Sequence, residues 1–177
     1  MARARAIWMA VAAMAVAPGK VQPGFHAARG LELNPMHAAA VDRAVAGASR
    51  RLESPACRRV FDEFHDAAGA PLQDRLDALG VGPADYLSLV VFADGSGRRT
   101  CRRDDVLAVT APGSRVVYVC GRVFNEAAAR NASRAEIAVI HEALHTLGLG
   151  ENPPDSREIT RLVTERCGDG AGAPVIP

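Results

Sequence analysis

Residues 141–151 read His-Glu-Ala-Leu-His-Thr-Leu-Gly-Leu-Gly-Glu, and this run restricts the chain more than any other. On a helix, positions i and i+4 lie on one face, a turn apart. His141 and His145 can therefore reach a single metal ion, and Glu142, beside the first of them, can polarise a water on that metal. The preceding residues predict the helix. Ser133-Arg134-Ala135-Glu136 has the spacing of a capping box, with Ser133 as N-cap and Glu136 at the third helical position. Ile137, Ile140, Leu144 and Leu147 then recur at helical spacing. Gly148 is a natural left-handed stop, after which the chain can turn back and offer Glu151 as a third ligand. Glu158 is the alternative, carried on the next helix. However, Asp155-Ser156-Arg157-Glu158 is again spaced as a capping box, which already gives Glu158 a structural task.

The run resembles the signature of the metzincin zinc peptidases, His-Glu-x-x-His-x-x-Gly-x-x-His. His141, Glu142, His145 and Gly148 match it position by position, and Glu151 stands where the pattern has its last His. An oxygen ligand at that place is similar to the snapalysins, small secreted bacterial members with Asp there. The chain differs in having no Met after Met36, whereas metzincins carry a Met-turn below the metal. The resemblance implies Zn²⁺ held by His141, His145 and Glu151, with a zinc-activated water and Glu142 as general base. It implies hydrolysis of peptide bonds in a peptide or protein substrate. In the resembling families substrate lies along an edge strand beside the metal helix, and Arg115 to Cys120 is the candidate strand. Tyr118 and Tyr86 are available to stabilise an oxyanion, although core packing is the simpler role for both. The alternative is an exported zinc-binding module without proteolytic activity. In a third reading the two histidines merely pack.

The first 17 residues read as a secretory signal peptide. Arg3 and Arg5 give a positive start, Ile7 to Val16 an apolar stretch too short to span a bilayer as a mature helix, and Ala13-Met14-Ala15 and Ala15-Val16-Ala17 two cleavage patterns, the second followed by Pro18; an uncleaved anchor and a buried helix are the alternatives. No later stretch is long and apolar enough to span a membrane, so no stable span is expected after cleavage. A secreted or periplasmic location follows, and a monomer is the expected state. Residues 18–35 are irregular, 36–168 form one zincin-like domain, and 169–177 are a Gly/Ala/Pro-rich tail. A formal net charge of +1 gives no footprint for nucleic acid. The one basic cluster, Arg98, Arg99, Arg102 and Arg103, runs directly into Asp104 and Asp105 and reads as a solvated loop.

Cys57, Cys101, Cys120 and Cys167 are an even set in a chain with an export signal, which argues for two disulfides. Three connectivities are open. Cys101 and Cys120 flank two candidate strands and can close a hairpin-like pair, leaving Cys57 to join an early helix to the last one. No C-x-x-C spacing occurs, which argues against a cysteine metal site.

Helices are predicted over Met36 to Leu52, Pro55 to Ala67, Pro71 to Leu79, Gly121 to Arg130 and Asp155 to Arg166, besides the metal helix. Asn131-Ala132-Ser133 fits a glycosylation sequon but more simply supplies a helix start. Strands are predicted over Tyr86 to Ala93, Val106 to Thr110 and Arg115 to Cys120. His26, His37 and His65 have no second ligand at helical spacing and read as surface residues. The order implies an α+β domain in which a small three-stranded sheet packs on helices, with the metal helix beneath it.

Overall fold

The computed structural model describes residues 33–151 and 153–169. The predicted signal peptide, nearly all of the irregular segment 18–35, His26 and the tail beyond Asp169 lie outside the described residues.

Helix α1 (Pro35–Leu52) opens with Asn34, whose side chain accepts from the Met36 N–H, and with Pro35 in the first turn, where a missing N–H costs nothing. Its apolar stripe of Ala40, Val41, Ala44, Val45, Ala48 and Leu52 is buried. That stripe packs against the metal-motif helix α7 (Ala132–Thr146) and against α6 (Gly121–Arg130). At Gly47 the two long helices come close. A Cβ there would lie 2.1 Å from a carboxylate oxygen of Glu136. Arg51, one turn on, ties that carboxylate at 2.6 Å and donates to Ser133 Oγ at 3.0 Å.

This cluster corrects the predicted capping box. The N-cap of α7 is Asn131, in extended conformation, whose side chain accepts from the Arg134 N–H. Asn caps as well as Ser, and the earlier start frees Ser133 and Glu136 to hold Arg51.

The predicted helix over Pro55 to Ala67 is also broken. It forms two short pieces, α2 (Pro55–Arg58) and α3 (Val60–Glu63), and Phe64 is already extended. Beyond it Asp66 accepts from the N–H groups of Ala68 and Ala70 and closes a turn. Helix α4 (Leu72–Leu79) follows and ends at left-handed Gly80.

The sheet has the order β1-β3-β2. β1 (Val91–Asp94) runs parallel to β3 (Val116–Val119), and β2 (Ala108–Val109) runs antiparallel to it. The predicted strand from Tyr86 is corrected at its start: Pro83–Tyr86 is a helical turn, α5, continued by a tighter turn over Leu87–Leu89. Short apolar runs do not separate strand from buried turn by pattern alone, and Pro83 at the first helical position favours the turn. The sheet buries Phe92, Ala93, Val117 and Val119 against the helices.

Helix α8 (Ser156–Cys167) closes the molecule. Asp155 caps it by accepting from the Glu158 N–H at 2.8 Å, and Ile159, Val163 and Cys167 face inward. Two disulfides are present, Cys57–Cys167 and Cys101–Cys120. The first fastens the end of α8 to α2. The second ties the loop after β1 to the end of β3. Among the described residues no helix is long and apolar enough to cross a membrane.

Candidate metal centre

Helix α7 ends in two hydrogen bonds that define a Schellman turn: Leu149 N–H to Leu144 C=O at 3.2 Å and Gly148 N–H to His145 C=O at 2.9 Å. Gly148 has φ +115°, a conformation that other residues adopt only with strain. The turn buries Leu149 and reverses the chain, so that Glu151 comes back over the helix it has just left.

The structure thereby brings together His141, His145 and Glu151. One ligand atom from each lies within 4.8 Å of the others. The two Nε2 atoms are 3.1 Å apart, and Glu151 Oε1 is 3.4 Å from His145 Nε2. Two imidazoles bound to one tetrahedral ion at about 2.0–2.1 Å place their nitrogens about 3.3 Å apart, so the spacing suits a shared metal. Both imidazoles are buried and the Glu151 carboxylate is partly exposed, which leaves one side of the group open. This group can hold a metal ion.

Each histidine is also held from behind. His145 Nδ1 lies 2.8 Å from the Leu149 carbonyl, an acceptor supplied by the Schellman turn. His141 Nδ1 lies 3.0 Å from Thr160 Oγ1 on α8. Such partners orient metal-binding imidazoles. Burial first, and then neighbouring His145, push the His141 imidazole down to about 3, so the ring is neutral at neutral pH.

Glu142 lies beside this group, almost wholly buried, and its Oε2 has no protein partner. Burial chiefly, with a contribution from the Glu151 carboxylate, pushes its carboxyl up to about 8. The Thr110 N–H, which approaches it from the end of β2, works the other way.

Comparison with protein-family models, with curated proteins and with solved structures finds no match to this chain.

Several predicted candidates lie elsewhere. Glu158 is exposed in the first turn of α8 and is not part of the group. Tyr86 is buried, and its hydroxyl is 2.9 Å from Thr146 Oγ1, so it braces α7 from the core. Tyr118 lies under the Arg98 guanidinium, 3.2 Å from the ring centroid. His65 bridges to Pro71 and is exposed. His37 is corrected from a surface residue to a half-buried one, seated on Gly121 at the start of α6.

The candidate substrate strand is corrected as well. Arg115 to Cys120 contains β3, the central strand, which pairs with β1 over Val116–Val119 and with β2 at Tyr118 and Val119. The edge beside α7 belongs to β2 and the residues after it. Thr110 approaches Glu142, and the Gly113 N–H donates to the His145 carbonyl at 2.8 Å. The sequence reading missed Thr160, the Leu149 carbonyl and Thr110. Two of these act through backbone atoms, which carry no residue signature, and Thr160 is one polar residue on an amphipathic helix.

Proposed function

We propose that the protein is an exported zinc metallopeptidase. The observation that carries this reading is the convergence of His141, His145 and Glu151 with an unpartnered buried oxygen of Glu142 beside them. Two nitrogens, one carboxylate and an open side are the donor set of a catalytic rather than a structural zinc site. His141, His145 and Glu151 would hold the ion. A bound zinc ion supplies Lewis acidity toward water and the scissile carbonyl. With a cation bound beside it, which would offset the rise that burial and Glu151 give its carboxyl, Glu142 would take the proton of the attacking water and pass it to the leaving amine. Glu151 is the third ligand in place of Glu158, because the Gly148 turn returns it to the histidines. The outer edge of β2, an edge strand among the described residues, is the surface on which an extended peptide would add as a further strand. The resemblance of residues 141–151 to the metzincin signature supports the same chemistry, and the two disulfides suit an oxidising compartment.

Elemental analysis of the purified protein, together with digestion of a peptide library with and without a chelator, tests the proposal. One zinc per chain and chelator-sensitive cleavage are expected, and both should be lost in H141A/H145A. Stoichiometric metal in that double variant, or cleavage indifferent to chelator, overturns it.

A further inference from the structure

The supports of the metal group come from two sources. Glu151 and the Leu149 carbonyl behind His145 are returned by the Gly148 turn at the end of α7. Thr160, 3.0 Å from His141 Nδ1, is carried on α8 instead. The first source is fixed by α7 itself. The second is only as well placed as α8.

Helix α8 is thinly anchored. Of its 12 residues, Ile159, Val163 and Cys167 are buried, one stripe at intervals of four. Its ion pair to α3, Arg166 with Glu63, is partly exposed, and such pairs hold little. The Cys167 carbonyl accepts from Arg51 at 2.6 Å. The remaining anchor is covalent: Cys57–Cys167 fixes the last residue of α8 to α2, and both cysteines are buried. The second disulfide, Cys101–Cys120, joins the loop after β1 to the end of β3, segments that carry no support of the metal group.

We propose that Cys57–Cys167 is a redox latch for the metal centre: its closure seats Thr160 against His141, so that tight metal binding follows arrival in an oxidising compartment. Closure joins two thiols in one disulfide. The two electrons and two protons pass to a second disulfide, which becomes a dithiol. With both thiols reduced, two aliphatic side chains and the Arg51 contact are left to hold α8, and its local opening withdraws Thr160. His141, His145 and Glu151 keep their places, because α7 is capped by Asn131 and packed on its own, so binding weakens without vanishing. The metal half of the inference rests on the zinc reading above. The control of α8 by the disulfide does not.

Zinc affinity of the full protein, measured by chelator competition, tests it in C57A/C167A, C101A/C120A, T160V and T160V/C57A/C167A. C57A/C167A and T160V should each bind about 10–100-fold more weakly than the parent. C101A/C120A should stay within about twofold of the parent, and the triple variant within about twofold of C57A/C167A, because the latch acts through Thr160. Amide hydrogen exchange of the metal-free proteins gives a second reading. In C57A/C167A the amides of Thr160 to Arg166 should exchange faster, while those of Ile137 to Leu144 keep the parent's protection. Parent-like affinity in C57A/C167A, an equal loss in C101A/C120A, or additive losses in the triple variant overturn the latch. So does unfolding of the whole chain in C57A/C167A, since the disulfide then holds the domain and not the site. A parent that binds no zinc overturns the metal reading instead. The exchange data then decide by themselves whether Cys57–Cys167 controls α8, and unchanged exchange there overturns that control.

Discussion

The two halves of α7 are built to different rules. The first half is held as ordinary helices are held: Asn131 caps it, Arg51 ties Glu136, and Ala135, Ile137, Val139 and Ile140 fill the core. The second half carries His141, Glu142, His145 and Thr146, the buried polar side chains among the described residues. Burying polar groups costs free energy unless each finds a partner. Thr146 is fully accounted for by the Ala143 carbonyl and the Tyr86 hydroxyl. The histidine Nδ1 atoms are accounted for by Leu149 and Thr160. What remains is the two Nε2 atoms, 3.1 Å apart and grouped with Glu151, and Glu142 Oε2, whose carboxyl feels the Glu151 charge. One continuous helix is thus satisfied at one end and deliberately incomplete at the other, and the incomplete end is where chemistry is expected.

If that contrast holds, variants in the second half should change chemistry while sparing stability, and variants in the first half should do the reverse. The largest effect is expected from E142Q. Peptide cleavage should fall on the order of 10²–10⁴-fold, as for loss of a general base. Zinc content should be kept, and the melting temperature of the metal-free protein should not fall at neutral pH, since burial already favours the neutral carboxyl and Gln has nearly its shape. Full activity in E142Q would break the proposed mechanism.

E151Q should come next. Exchanging an anionic ligand for a neutral one should weaken zinc binding by at least the ~10–100-fold seen for loss of supporting partners. Activity should return when zinc is added in excess, which it should not in E142Q. Parent-like zinc affinity in E151Q together with loss in E158Q would move the third ligand to α8.

The same contrast explains what was legible in the sequence. The motif was readable because its geometry is local. His141, Glu142, His145 and Gly148 are fixed by helical spacing and by one left-handed residue, and Glu151 follows from the turn. The coarse α+β class follows from the order of the elements, and Cys101–Cys120, 19 residues apart across two candidate strands, was favoured for a similar local reason. Cys57–Cys167, 110 residues apart, was only what that pairing would leave among three open connectivities. Strand order was not. β3 lies between β1 and β2 because of a crossover through residues 95–115, and nothing in Val116–Val119 itself announces a central strand. Thr160 was hidden because it depends on the rotation of α8 about its own axis, which Ile159 and Val163 decide by packing.

On α1, where it packs against the first half of α7, G47A should cost about 1–3 kcal/mol, the usual range for overpacking. The new methyl would displace Glu136 and loosen its pair with Arg51. Part of that cost is offset because Ala is favoured over Gly in a helix by about 1 kcal/mol. Chemical denaturation measures the loss, and zinc affinity should stay at the parent value. A change in zinc affinity larger than the change in stability would show that the two halves are mechanically linked.

The smallest effect, and the sharpest check on where α7 begins, is N131A against S133A. Asn131 accepts from the Arg134 N–H in extended conformation, so its removal leaves an N-terminal donor without its partner and should cost about 1 kcal/mol. Ser133 lies inside the helix, where Ala is the better helix former, and its partners Arg51 and Asp169 hold each other without it. S133A should therefore cost less than N131A, by several tenths of a kcal/mol, and both should leave zinc binding and cleavage untouched. Urea denaturation of the two variants beside the parent decides it. A larger loss in S133A would restore the capping box read from the sequence and shorten the structural half of the helix to the residues beyond Ser133.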